Sequence, residues 1–224
     1  MTARREFKHS LNYLDYLSLR SRLAATLQRD QNADENGEYK VRSLYFDTPR
    51  DQALREKIDG VDRREKFRIR RYNSEKDILN LEKKCKAHGL CSKKSELISR
   101  SELTSIQEGD INWMAHDKRP LVADLHANMV SRMLRPKVIV EYIREPFIYK
   151  AGNIRITFDK KIRTGVFSTD FLNDSLATVP VGDDIILLEV KYDEFIPDFI
   201  QDLLQTPNRR AAAFSKYAMS RIYG

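Results

Sequence analysis

Apolar and charged residues alternate along one stretch of this chain after another. In "REKFRIRRY", starting at Arg64, the residues Lys66, Arg68 and Arg70 share one parity and Glu65, Phe67 and Ile69 the other. "ILNLEKKCK", starting at Ile78, sets Asn80, Glu82, Lys84 and Lys86 against Leu79, Leu81 and Cys85. A period of two is the signature of a strand with one buried and one solvated face. The pattern recurs five times more. Near the start Arg4, Glu6 and Lys8 share a face; later Tyr142 and Arg144 oppose Ile139, Ile143 and Phe147. Arg155, Thr157, Asp159, Lys161 and Arg163 oppose Ile154, Ile156, Phe158 and Ile162, and Glu189 and Lys191 oppose Ile186, Leu188, Val190 and Tyr192. Lys40 and Arg42 stand opposite Val41 and Tyr45.

So many charged faces on a flat sheet would make an unusually basic surface. A closed barrel offers another arrangement, because interior and exterior positions alternate along every strand. With the charges turned inward, the lumen becomes a wet cationic tunnel holding a few carboxylates, and helices cover the apolar outside. Such a lumen suits a polyanion.

The remaining elements follow from local signals. Asn12 is placed to cap a helix in which Tyr13, Tyr16, Leu17, Leu23, Ala24 and Leu27 recur at helical spacing, so this helix plugs or flanks the barrel. A polar loop at 30–38 leads to a strand at 39–46, and Pro49 opens a short helix to Ile58. After the central strand pair and its loop at 72–76, a third strand covers 92–98. Two or three helices follow before Pro136, around Ser101 to Trp113 and at 121–134. Strands at 137–149 and 153–163 are joined by the Gly-containing turn "KAGN". A loop-rich segment at 168–184 precedes a strand at 185–192, and helices run from Pro197 to Leu204 and from Arg209 to Ile222. No repeat or linker divides the chain, which predicts a single domain over residues 1–224.

Composition sharpens the picture. Lys and Arg number 40 against 33 Asp and Glu, a formal net charge of +7 that favours acidic partners. Hydrophobic residues make up 41%, enough for a folded core. No apolar run approaches the roughly 20 residues of a membrane span, and the first ten residues carry no apolar signal core. The expectation is a cytoplasmic protein without a membrane segment of its own, to which a membrane partner remains open. Cys85 and Cys91, with His88 between them, lack the further ligands a zinc site needs and read as free thiols. Neither a Gly-x-Ser-x-Gly run nor a phosphate-binding Gly-rich loop occurs. Exposed stacking aromatics and a groove-reading helix are equally lacking, so nucleic acid is not expected as a partner.

Eight segments in order, "REFKH", "SLYFDT", "FRIRRY", "NLEKK", "VIVEYIREPF", "IRITFD", "LLEVK" and "FSKY", resemble the VTC-type polyphosphate polymerase domain. That family is a branch of the triphosphate tunnel metalloenzymes, which also include the CYTH phosphatases. The resemblance implies an α+β fold: an antiparallel closed β-barrel of about eight strands, the triphosphate tunnel, flanked by helices. It implies that Lys8, Arg68, Arg70, Lys84, Arg144, Arg155 and Lys216 line the tunnel and grip phosphates, with Lys93 or Lys94 supplying another cation. Lys66, Lys161 and Lys191 share the charged parity and join them as substrate-binding candidates. Glu189 matches the family's metal-binding glutamate for Mn²⁺ or Mg²⁺, with Glu6 and Glu82 as further candidates. Glu82 reads equally well as a salt-bridge partner of tunnel lysines.

Two departures stand out. The Glu-x-Glu-x-Lys opening of the CYTH phosphatases has Arg4 at its first glutamate, and a second lysine ahead of the "FSK" lysine is Ala213 here. The first weakens metal activation of a hydrolytic water; the second removes one grip on an emerging chain. The implied activity is metal-dependent transfer of the ATP γ-phosphate to inorganic polyphosphate. The alternatives are hydrolysis of tripolyphosphate or a nucleoside triphosphate in the same fold, and a polyphosphate-binding module without catalysis.

Overall fold

The computed structural model of the chain describes residues 4–73, 75, 77–88, 90–182, 185–206, 210–211 and 214–222. Eight long strands form one antiparallel sheet: β1 (Arg5–Leu11), β2 (Tyr39–Asp47), β3 (Arg64–Tyr72), β4 (Leu79–Ala87), β5 (Leu90–Ile98), β6 (Arg135–Tyr149), β7 (Ile154–Thr164) and β8 (Ile186–Tyr192). Their order across the sheet is β1-β8-β7-β6-β2-β3-β4-β5. Two-residue strands add to it, Gln28–Arg29 on β6, Val179–Pro180 on β7 and Arg210–Ala211 on β1.

The sheet curls but is open, which corrects the expectation of a closed barrel. Between the edges β1 and β5, the only backbone pairing among the described residues is one isolated bridge, Arg4 to Cys91. Side chains span the same seam, with Lys84 Nζ 3.2 Å from Glu6 Oε2.

Helices cover the convex face in two groups. Helix α1 (Tyr13–Thr26) is capped by Asn12, whose side chain accepts from the Asp15 amide at 2.8 Å. It flanks the sheet rather than plugging it: Tyr16, Leu19 and Leu23 pack on Phe147, Ile156, Phe158, Leu188 and Val190, the outward residues of β6 to β8. A short helix α2 (Gln52–Ile58) follows β2. Helices α3 (Arg100–Glu108) and α4 (Pro120–Ser131) cover β3 to β5, with Leu103, Ile106, Leu121, Val122 and Leu125 against Phe67, Ile69, Leu79 and Leu81. Ser99 and Glu102 close a reciprocal capping box at the start of α3, which satisfies two otherwise orphaned amides. Helix α5 (Asp198–Leu203) packs beside α1.

The last helix, α6 (Lys216–Ile222), is shorter than the predicted 209–222. Residues 210–211 instead pair with β1, and 207–209 and 212–213, including Ala213, lie outside the described residues. Inside the curl the lining is not uniformly wet. Val41, Tyr45, Val138, Val140, Tyr142, Ile162 and Leu187 form an apolar wall against which Tyr217 of α6 rests.

Asp47, buried at the end of β2, fixes both short helices next to this wall. It accepts from the amides of Ala53 (2.9 Å) and Leu54 (3.2 Å), the first turn of α2, and from the Tyr217 hydroxyl. Hydrogen bonds to a buried carboxylate are worth about 1.5–3 kcal/mol and leave unsatisfied donors when the acceptor goes. Asp47→Ala is therefore expected to lower stability by about 3 kcal/mol, and Tyr217→Phe by about 1 kcal/mol, in urea unfolding.

Candidate functional site

The concave side of the curl encloses a cavity of about 650 Å³. Among the described residues that line it, fourteen are Lys or Arg and three are Glu, so the space is strongly cationic before any ligand enters. Strand parity delivers these side chains. Glu6 and Lys8 come from β1, Glu189 and Lys191 from β8, Arg155 and Thr157 from β7, and Tyr142 and Arg144 from β6. Lys66, Arg68 and Arg70 come from β3, Lys84 and Lys86 from β4, Lys93 from β5 and Lys216 from α6.

Carboxylates hold the cations at fixed places. Buried Asp159 accepts a bidentate pair from Arg144, Nε at 2.7 Å and Nη2 at 2.8 Å, and receives Lys216 at 2.5 Å. Buried Glu82 takes Arg68 at 2.6 Å and Lys93 at 2.9 Å, with Arg70 at 3.9 Å. Burial works against the charge of Glu82, yet Arg68, Arg70 and Lys93 pull its carboxyl far below the usual range. Arg70 also donates to Ser43 and Tyr142, each at 3.1 Å. At the other side Arg155 reaches Asp30 and the Tyr39 hydroxyl, both at 2.6 Å.

Glu6 and Glu189 belong to a second arrangement. Lys8 lies 2.8 Å from Glu6 and 3.1 Å from Glu189, and Lys191 lies 3.3 Å from Glu189. Burial and mutual repulsion raise the Glu6 carboxyl, but Lys8, Lys84 and Lys191 outweigh them and hold it low. Glu189 is likewise held well below its ordinary value: Lys8, Lys191 and Arg144 overcome the cost of burial. Both carboxylates are ionised.

Some cations are compensated less fully. Lys66 has the Tyr45 ring as its neighbour, 5.2 Å from the centroid. Burial, with Arg68, Lys84 and Lys8 nearby, lowers its pKa to about 7 despite Tyr45. Burial raises the Tyr45 phenol, and Arg68, Lys66 and Arg70 reverse this and bring it down to about 7. Lys191 is lowered to about 8 by burial and by Arg144, which the carboxylates offset only in part.

Of the residues singled out by sequence, the cavity gathers Lys8, Lys66, Arg68, Arg70, Lys84, Lys93, Arg144, Arg155, Lys191, Lys216, Glu6 and Glu189. Three do not line it, Lys94, Lys161 and Glu82. Lys94, paired with Lys83, faces the opposite side of the sheet from Lys93 and is exposed. Lys161 sits in the left-handed region (φ 51°) where the β6–β7 register slips, and its side chain is exposed. Lys160 keeps the outward parity of Ile156 and Phe158 and reaches Tyr16 and Glu38, whereas beyond Lys161 the slip turns Ile162 inward, so the alternation does not continue past Lys160.

Lys40 and Arg42 also point out of the curl. Arg42 donates to Glu141 and to the Phe171 carbonyl, and the inward parity of β2 is Val41, Ser43 and Tyr45. Glu82 lies beneath Arg68 and Lys93 as their ion-pair partner, apart from the Glu6–Glu189 corner. Among the described residues no three acidic, His or Cys side chains cluster as a metal cage.

The sequence reading missed several lining residues. Lys57 on α2, Tyr45 and Tyr72 line the cavity; Arg4, which the alternation had placed on the charged face with Glu6 and Lys8, lines it too and pairs with Asp193 at 3.0 Å. Thr157 Oγ1 and Arg155 Nε are buried there with no hydrogen-bond partner among the described residues. Thr157 shares the parity of Arg155 and Asp159, a signal that a search for charges alone passes over.

Mg²⁺ and Mn²⁺ are bound through oxygen ligands, Mg²⁺ commonly by one or two carboxylates completed by substrate phosphates. Ionised Glu6 and Glu189, adjoining one cavity, fit a metal of that kind. Two carboxylates in a cationic surround do not fit a self-sufficient protein cage.

Residues 3–222 match the family model of the VTC domain. Among solved structures, a putative adenylate cyclase from Bacillus halodurans superposes with a TM-score of 0.53 at 16% identity, covering 85% of this chain and 82% of that one. A conserved hypothetical protein from Pyrococcus furiosus gives 0.46 at 9% identity, covering 90% and 85%. A Pyrococcus horikoshii protein gives 0.43 at 14% identity, covering 90% and 84%. No curated protein sequence matches the chain significantly. No helix among the described residues is long and apolar enough to cross a membrane.

The lowered amines make a pH test. Between pH 7 and 9 the unfolded chain holds protons on Lys66 and Lys191, and on the Tyr45 phenol, that the folded protein has released. Stability rises with pH wherever the unfolded state binds more protons. The urea midpoint of the unliganded protein is thus expected to increase from pH 7 to pH 9, and Lys66→Met to flatten the rise.

Proposed function

The chain belongs to the VTC domain family, and from that premise we propose that it is a divalent-metal-dependent polyphosphate polymerase, transferring the γ-phosphate of ATP to an inorganic polyphosphate chain within the cationic cavity. The observation that carries this reading is the charge structure of the cavity: an ionised carboxylate pair, Glu6 and Glu189, set within a large excess of Lys and Arg. That excess matches a ligand of several adjoining phosphates, and the pair matches the metal that accompanies them.

Phosphoryl transfer asks chiefly for positioning and for neutralisation of the phosphate oxygens. Arg68, Arg70, Arg144 and Arg155 offer planar donor forks, suited to phosphate oxygens, while Lys8, Lys84, Lys93 and Lys216 add point charge. Thr157 Oγ1 and Arg155 Nε, buried without hydrogen-bond partners among the described residues, supply donors that a phosphate would satisfy. Mn²⁺ or Mg²⁺ held at Glu189 and Glu6 supplies further neutralisation of phosphate oxygens when bound.

In the reaction the bond from the γ-phosphorus to the β–γ bridging oxygen breaks. A terminal oxygen of the chain forms the new bond, and ADP leaves. That acceptor oxygen is already anionic, so no general base is needed. The reading draws support from the carboxylates: among the described lining residues Glu6 and Glu189 are ion-paired and Glu65 bonds Lys83 at 2.7 Å, and Glu82 beneath the lining is ion-paired as well. A hydrolase would need a group to position and activate water.

Purified protein incubated with ATP and Mn²⁺ is expected to yield ADP and a ladder of polyphosphate on a gel. Arg70→Ala and Glu189→Gln should each reduce this by on the order of 10²-fold, as when a preorganised charge partner of the transition state is removed. Free phosphate without polymer would reassign the chain as a hydrolase of the same fold, and tight tripolyphosphate binding without turnover would make it a binding module.

A further inference from the structure

Lys8 stands in register with Glu189 and Glu6 with Lys191, so on the paired strands β1 and β8 the two carboxylates occupy one diagonal and the two lysines the other. All four carboxylate oxygens are engaged by cations. Glu6 Oε1 receives Lys8 at 2.8 Å, and Glu6 Oε2 receives Lys84 at 3.2 Å with Lys191 at 3.9 Å. Glu189 Oε1 receives Lys8 at 3.1 Å, and Glu189 Oε2 receives Lys191 and Arg144, each at 3.3 Å.

Lys8 approaches both carboxylates more closely than Lys191 does, at 2.8 and 3.1 Å against 3.9 and 3.3 Å, and its ammonium stands between them. A dication ligated by the two glutamates needs that same space. Four cations around two carboxylates also leave the corner net positive, so a bare dication meets repulsion there. Phosphate reverses both conditions: it brings enough negative charge to neutralise the surplus, and its oxygens give the Lys8 ammonium another place to bond.

We propose that Lys8 is a built-in counter-cation, which fills the Glu6–Glu189 corner in the free protein and moves to phosphate oxygens when these arrive, so that the corner accepts a divalent ion only together with phosphate. This rests on the phosphate-binding reading of the cavity. Phosphate and metal then raise each other's affinity by the same factor, as linkage requires. The long, flexible lysine stem suits the exchange; an arginine fork at this position would be harder to redirect.

The test measures Mn²⁺ binding to the full chain in phosphate-free buffer, from the electron paramagnetic resonance signal of free Mn²⁺. Lys8→Met and Lys8→Gln are expected to bind Mn²⁺ at least about tenfold more tightly than wild type, within the usual range of site-to-site coupling. Adding Glu189→Gln to Lys8→Met should remove the gain. Lys94→Met, which deletes an outward-facing charge, should show none. Equal affinity in wild type and both Lys8 variants, or an equal gain in Lys94→Met, overturns the proposal.

Tripolyphosphate is titrated in parallel, with correction for the Mn²⁺ complex formed in solution, and is expected to raise wild-type affinity for Mn²⁺ at least about tenfold. Tripolyphosphate that binds and leaves Mn²⁺ affinity unchanged overturns the role of Lys8 and spares the phosphate reading. Tripolyphosphate that does not bind at all overturns that reading, and the proposal with it.

Discussion

Cations enclosed in a curled sheet repel one another, and much of this structure answers that constraint. Water would screen the same charges on an open surface. Inside the curl screening is weaker, so each cation needs an anionic neighbour or a lowered pKa. The protein uses both means. Asp159, Glu82, Glu6 and Glu189 hold Arg144, Arg68, Lys8 and their neighbours in the charged state, whereas Lys66 and Lys191, less well compensated, are lowered to about 7 and about 8.

The strain of collecting these charges falls on the outer layers. Helices α1, α3 and α4 bury Leu19, Leu23, Leu103 and Leu125 completely against the convex face, and this apolar packing holds the sheet in its curl. Ion pairs on the same face are anchored as firmly. Fully buried Glu145 accepts from Tyr16 at 2.9 Å and from Arg20 at 2.7 Å, tying α1 to β6. The curvature that brings β1 toward β5 thus does not depend on a closed hydrogen-bonded ladder. Among the described residues the seam shows one backbone bridge and the Lys84–Glu6 pair.

Parity made most of the site legible. Along β1, β3, β4 and β8 the alternation runs unbroken, and Glu6, Lys8, Lys66, Arg68, Arg70, Lys84, Glu189 and Lys191 all fall where period two puts them. It failed at irregularities that side-chain pattern does not encode. The slip between β6 and β7 takes Lys161 out of the site, and a turn of uncertain parity before β5 left Lys93 and Lys94 undivided. On β2 both faces are buried, so Arg42 could turn outward to Glu141 without breaking any visible pattern. Barrel closure was beyond reach because it depends on the tilt and stagger of all eight strands together.

The carboxylates divide into two kinds, and the division explains why so few serve so many cations. Asp159 and Glu82 lie below the cavity surface with their oxygens committed to guanidinium and ammonium groups at 2.9 Å or less. Such anchors orient a donor and keep it charged. Glu6 and Glu189 border the cavity itself, and their partners are mainly lysines at 2.8 to 3.3 Å, point charges on flexible stems. A guanidinium bound bidentately to a buried carboxylate is a fixed part of the wall. An ammonium on the surface of a cavity can exchange partners when a stronger anion enters. Rigid arginines and exchangeable lysines therefore give the cavity a stable shape and a charge distribution that can rearrange around its ligand.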